Sequence, residues 1–349
     1  MFCDNHGLYC AYGNAVNFKV KPLLVNTTRF FSILGGLVLF LSACTIPDST
    51  PLQRTSLAED GVYAADINAD KQIALFSEVA GEIKVLDLKT NTLLYSWRHQ
   101  GDGTNLVDNV KLSKDGEYAV TSDSDAFALW ALDTGEPIGF WRIDTSTIRD
   151  IAVANGGRAV LIGRADGSVM FFEPDTERRL EFIGHEEKIN SVDLSANGRY
   201  ALTGSNDYKA YLWDTQSAQI IHVFDHPHRV TQVLIDQNAK YLFTADGQDK
   251  AQIWDAQSGE AVSRLHFIER QLIFTSAKFS KNSERLLTGS PAKRLALWDI
   301  KTGKNLQEWR VAASDGPAPQ SAVVYAVDFL GQEAVSISSS GNYEKWELK

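Results

Sequence analysis

A Trp-Asp pair recurs along this chain. It is intact at Trp213-Asp214, Trp254-Asp255 and Trp298-Asp299, with weaker copies at Leu86-Asp87, Trp130-Ala131, Phe172-Glu173 and Trp346-Glu347. The second members stand 44, 42, 41, 41, 44 and 48 residues apart. A unit repeated at such a period cannot bury its own apolar face, so it must stack against copies of itself. Between the pairs lie short runs rich in β-branched and aromatic residues, cut by turn residues: Ile189-Asn190-Ser191-Val192-Asp193-Leu194, then Asn197-Gly198, then Tyr200-Ala201-Leu202-Thr203. Turns of the same kind stand at Lys114-Asp115-Gly116 and Asn155-Gly156-Gly157. A helical repeat would show a 3.6-residue period without these interruptions, so the chain reads as all-β.

Period and texture match the four-stranded blade of a β-propeller, and the Trp-Asp pairs resemble WD40 repeats. The resemblance covers residues 52–349, strongest over 148–300, and implies a seven-bladed ring. The last repeat ends at Lys349, two residues after Glu347, without room for a fourth strand. Leu52 to Leu57 are therefore expected to pair with the final blade and close the ring, leaving no exposed sheet edge there. The resemblance also implies a hydrogen-bond set in one blade, His185 to Asp207 and Thr203 to the Trp213 ring N–H, with a structural role. In the next repeat His226 and Thr244 hold the same places and Gln248 stands for the aspartate.

The first 44 residues suggest an address. Lys19, Lys21 and Arg29 precede the uncharged run Phe30 to Leu41, followed by Leu41-Ser42-Ala43-Cys44. A basic region, an apolar stretch and a small-residue exit make a secretory signal; its apolar run falls short of the ~20 residues of a membrane span. The exit resembles the lipobox of bacterial lipoproteins, which implies cleavage before Cys44 and lipid on its sulfur. The expected organisation is 1–43 signal with a spurious N-terminal extension, 44–51 lipidated cysteine and tether, and 52–349 propeller. Thr45 after the cysteine implies the outer membrane, facing the periplasm, if the source is Gram-negative. Loss of residues 1–43 would move the net charge from −10 to −12. The acidic balance opposes nucleic-acid binding, which needs clustered cations.

Catalytic motifs are absent: no G-x-S-x-G elbow, no HExxH and no P-loop occur. Cys3, Cys10 and Cys44 are the only cysteines, so residues 45–349 offer no disulfide or thiol nucleophile. His222, Asp225, His226 and His228 cluster in sequence, but strand alternation and the expected role of His226 oppose a metal site. Asp66, Asn68 and Asp70 resemble the start of a calcium loop without its glycine or distal glutamate, and read as a turn. Asp123 and Asp125 read as a solvated turn. A partial match to quinoprotein-like propellers at Asp299 to Gly303 is out of register at Trp309. No metal or cofactor is expected.

Alignment of the inner strands puts Tyr63, Asp108, Arg149, Asn190, Thr231, Thr275 and Tyr325 at one equivalent position. In WD40 proteins that ring borders the mouth of the central channel. Tyrosine and arginine are enriched at binding hot spots. The expectation is a monomeric, non-enzymatic platform for a protein partner, anchored to membrane through lipid. The alternatives are an enzyme or small-ligand binder that uses the channel, and a cytoplasmic adaptor.

Overall fold

The computed structural model describes residues 50–79, 81–99, 106–267, 272–313 and 322–349. The expected signal segment and lipobox, with Cys44, lie outside the described residues. Seven four-stranded antiparallel sheets stand in a ring, each a blade; in the first six the strands run outward from the centre in chain order. Blades 1 to 6 span 62–97, 109–142, 148–182, 189–225, 230–264 and 276–310. Blade 7 takes three strands from 324–347 and its fourth from Gln53–Ser56, which pairs antiparallel with Asn342–Glu347. Backbone bonds from Leu52 N to Lys345 O and Leu57 N to Gly341 O, each 2.8 Å, extend that pairing. The ring closes as the truncated last repeat predicts. Among the described residues no helix is long and apolar enough to cross a membrane.

The Trp-Asp pair acquires a physical meaning here. The tryptophan lies in the third strand of its blade, and in blades 2, 4, 5 and 7 an aromatic ring from the outer strand of the preceding blade packs on it. Trp97 stacks on Trp130 at 4.5 Å and Phe182 on Trp213 at 4.6 Å. Phe224 covers Trp254 at 4.6 Å, and Trp309 approaches Trp346 at 6.3 Å. Each such pair adds about 1 kcal/mol beyond the area it buries. The aspartate caps the turn to the outer strand: Asp214 Oδ1 accepts the Gln216 and Ser217 amides at 2.9 and 3.0 Å, and Asp255 repeats this on Gln257 and Ser258. Those amides hold both carboxyls below the usual aspartate range, at Asp214 against the opposing pull of burial.

Blades also join at the centre. Asp66 Oδ2 accepts the Leu112 amide of blade 2 at 2.8 Å, Asp150 the Val192 amide of blade 4 at 2.8 Å, and Asp193 the Ile235 amide of blade 5 at 2.7 Å. Asp328 Oδ2 takes the Ala69 amide at 2.9 Å and so ties blade 7 to blade 1. In each case the other oxygen accepts the amide of the following residue. Asp66 is thus an interblade latch within its strand, and of Asp66, Asn68 and Asp70 only Asp70 lies in the turn, paired with Lys281 at 2.7 Å. Close approach of blades 4 and 5 also needs Gly204, where a Cβ would lie 2.6 Å from Val230 Cγ1.

Candidate interaction site at the mouth of the ring

The seven aligned positions do fall together. Tyr63, Arg149, Asn190, Thr231 and Tyr325 each sit on a bulge of their inner strand, where the pairing register shifts by one residue. Asp108 and Thr275 stand at the matching place just before theirs, each donating its amide to the second strand at 3.0 Å. Bulges turn a side chain out of the ladder, here toward the end of the channel that bears the loops between blades.

The seven do not share one fate. Asn190 Nδ2 bonds Asn206 Oδ1 at 2.8 Å and Val230 O at 2.7 Å. Thr275 Oγ1 bonds Val324 O at 2.7 Å, and Thr231 Oγ1 reaches Ala245 O at 3.4 Å. These three serve the ring itself. Tyr325, Tyr63, Asp108 and Arg149 occupy consecutive blades 7, 1, 2 and 3; Tyr63 is 44% exposed, and Asp108 and Arg149 are also exposed. Burial and the nearby Asp123 push the Asp108 carboxyl up against the pull of Arg149. Burial, then the Tyr63 phenol, raises the Tyr325 hydroxyl. The four form an arc of aromatic and charged groups beside the channel.

Below them the channel holds a cavity of about 130 Å³ lined by Asp66, Lys111, Asp193, Lys278, Tyr325 and Asp328 among others. Burial works against the charged forms of Lys111 and Lys278, but the surrounding aspartates outweigh it and raise both ammonium pKa values. Burial raises Asp150 and Asp328 despite those lysines. Lys114 reaches past blade 3 to Asp193 Oδ2 at 3.1 Å, Leu194 O at 2.6 Å and Ile235 O at 2.9 Å. The carboxylates are engaged by amides and the lysines by carboxylates, an arrangement that welds blades together.

The structural relays differ from expectation in three ways. His185 meets Asp207 at 2.8 Å and Thr203 at 2.9 Å, but Trp213 Nε1 has no acceptor, so the fourth member is not joined. The four-membered relay stands in blade 2 instead: His99 reaches Asp123 at 3.3 Å and Thr121 at 2.7 Å, and Trp130 Nε1 donates to Thr121 at 2.9 Å. Asp123 is therefore 5% exposed rather than a solvated turn. In blade 5 the carboxylate facing His226 is Asp246, not Gln248, but at 3.7 Å it is too far for a hydrogen bond, while Thr244 receives Trp254 Nε1 at 2.8 Å. His222 faces Gln257 O at 3.2 Å and His226 faces Thr244 at 2.8 Å, and no group of three metal-ligating side chains occurs among the described residues.

The WD40 family, described as "WD domain, G-beta repeat", matches residues 176–214. That stretch holds the outer strand of blade 3 and three strands of blade 4. The repeat is thus one strand out of phase with the blade, which is why the chain's first strand must complete its last sheet. No curated protein matches the chain. A chain in "Crystal Structure of Mitotic Checkpoint Complex" superposes with a TM-score of 0.70 at 14% identity, over 86% of this chain and 96% of that one. With 1928 matching chains among solved structures, the likeness speaks for the fold alone. The chain is a seven-bladed β-propeller that carries a WD40 repeat.

Proposed function

We propose that this propeller is a protein-interaction platform of a bacterial envelope, held at a membrane by lipid on Cys44, which engages its partner with Tyr325, Tyr63, Asp108 and Arg149. One observation carries the reading: of seven equivalent mouth positions, the three on blades 4 to 6 bond the ring, whereas on blades 7 to 3 Tyr63, Asp108 and Arg149 are exposed beside a half-buried Tyr325. Propellers of this kind are generally scaffolds without catalysis, and the similar solved chain comes from a complex. A rigid ring presents such residues at low cost in ordering entropy.

The test is the double variant Arg149→Ala with Tyr325→Ala, crosslinked in cells beside the wild type. Tyr325 is half-buried against the core of blades 7 and 1, so the variant should lose about 1–2 kcal/mol of stability yet stay folded, while a specific crosslinked protein is lost. An unchanged crosslinking pattern would show the arc to be no partner surface. Loss of turnover of a small molecule would instead favour a ligand-binding or enzymatic channel.

A further inference from the structure

The half of the mouth that lacks the arc carries a pocket. Asn206, Tyr208, His228, Arg229, Gln248 and Ile273 line a cavity of about 490 Å³ between the loops of blades 4, 5 and 6. That is ample for one side chain of a bound segment.

Two observations on these residues do not follow from the fold. The first is charge. Eight described arginines sit in ion pairs with carboxylates. Arg229 is exposed and has no ion-pair partner among the described residues, a lack it shares with Arg149, Arg158, Arg179 and Arg285, in a chain with a net charge of −10. Across the ladder, where the Gly247 amide meets the Arg229 carbonyl at 2.9 Å, the neighbouring acid is turned inward: Asp246 Oδ1 takes the Gln248, Asp249 and Lys250 amides at 2.9, 3.0 and 3.1 Å, and its Oδ2 lies 3.7 Å from His226. Gly247 keeps the space beside Arg229 open, since a Cβ there would lie 3.2 Å from the guanidinium Nε.

The second observation is backbone strain. In five blades the turn between second and third strands holds a left-handed residue, supplied by Gly81, Gly167 and Gly341 in blades 1, 3 and 7 at φ of 84°, 88° and 77° and by Lys293 in blade 6 at 64°. Blade 4 puts Tyr208 there at φ 71°, 54% exposed, with its carbonyl accepting the His226 amide at 2.8 Å. A bulky aromatic side chain in this conformation is strained where glycine would be at ease. Strain of this kind collects at binding sites, where the side chain it displays has a use.

We infer that this pocket receives one carboxylate side chain, aspartate or glutamate, from an extended segment of the protein partner. Arg229 pairs with the carboxylate, the Asn206, Gln248 and His228 side chains supply further polar contacts, and the Tyr208 ring walls one side. A single guanidinium matches the single charge of a carboxylate, whereas a phosphate group is met by a cluster of arginines. The inference rests on the platform reading above and adds the chemistry of what is bound.

The experiment uses a pool of 12-residue peptides with one central glutamate in random surroundings, and the same pool with glutamine there. Both are passed over immobilised propeller and the retained peptides sequenced. The wild type should enrich the glutamate pool at least tenfold over the glutamine pool, and Arg229→Gln should abolish that preference. Tyr208→Gly should weaken retention while raising the melting temperature, a pairing that a merely structural tyrosine could not produce. Equal retention of the two pools would overturn the inference. Retention that ignores the glutamate but is lost in the Arg149→Ala, Tyr325→Ala variant would sink the pocket and leave the platform standing. Peptides retained by no form of the protein would remove both.

Discussion

His99 and Asp123 face each other inside blade 2, with Nδ1 3.3 Å from Oδ2, while His99 Nε2 lies 2.7 Å from the Thr121 hydroxyl. With the proton on Nδ1, the imidazole donates to the carboxylate and accepts from Thr121, whose oxygen accepts from Trp130, so every polar atom is used. Burial alone would raise the Asp123 carboxyl. The His99 hydrogen bond and the Asp125 and Ala126 amides overcome it and bring the pKa down to about 2. A carboxyl lowered on folding stabilises the native state above its unfolded pKa near 3.8, and that contribution is lost as pH falls from there toward 2. Urea titrations at pH 7, 4 and 2.5 should therefore show the wild type losing about 2 kcal/mol more than Asp123→Asn over this window. Parallel acid limbs would refute the relay.

Thr121 and Thr203 hold equivalent places with unequal duties. Thr121 links a histidine to the Trp130 N–H, whereas Thr203 serves His185 alone because Trp213 Nε1 finds no acceptor. Replacement by valine keeps the shape and removes the hydroxyl. Thr121→Val strands two buried groups and Thr203→Val one, so the former should cost about 1 kcal/mol more. Denaturant midpoints of the two variants measure the difference.

Closure of the ring depends on one ion pair as well as on the backbone. Arg54 Nε meets Glu344 Oε1 at 2.7 Å, and the glutamate side chain is fully buried while the arginine is half exposed. Burial already raises the Glu344 carboxyl, with Arg54 and the Ala312 amide opposing it. Arg54→Ala should destabilise the protein by about 2 kcal/mol at pH 8, since it leaves a buried charge without its partner. Removal of the arginine raises that pKa further, so the penalty should shrink as pH falls through it and protonation neutralises the group. A penalty that stays constant down to pH 4 would show that the pair does not govern closure.

The proposed lipid on Cys44 can be tested directly. Membrane fractionation of wild type beside Cys44→Ala, with mass spectrometry of the mature N-terminus, should find an acylated Cys44 at the start of the wild-type chain. The variant should leave the membrane fraction. A soluble, uncut wild type would instead return the cytoplasmic adaptor to first place.

The ring, its seven blades and its strand exchange at the closure were legible in the sequence, because spacing and turn residues are local properties that survive blade-to-blade drift. The mouth positions were legible for the same reason: Tyr63, Arg149 and Asn190 occupy one register relative to their strands. The polar wiring was not. His99 stands 31 residues before Trp130, whereas His185 and His226 stand 28 before their tryptophans; Asp123 follows Thr121 by two residues, where Asp207 follows Thr203 by four. Such relays are set by where side chains meet, and a loop of changed length breaks the spacing without breaking the contact. The outer-strand rings at Trp97, Phe182 and Phe224 carried a signal some 30 residues before their tryptophans that a search for Trp-Asp pairs does not reveal. By itself the sequence determined a repeating all-β ring and the place of its closure, since chain length and period admit few ways to bury seven apolar faces. Only the tertiary structure decided that Asp66 latches two blades, that Asn190 is occupied while Arg149 is free, and that Tyr208 is held out under strain, because each depends on a neighbour brought close by the ring and not by the chain.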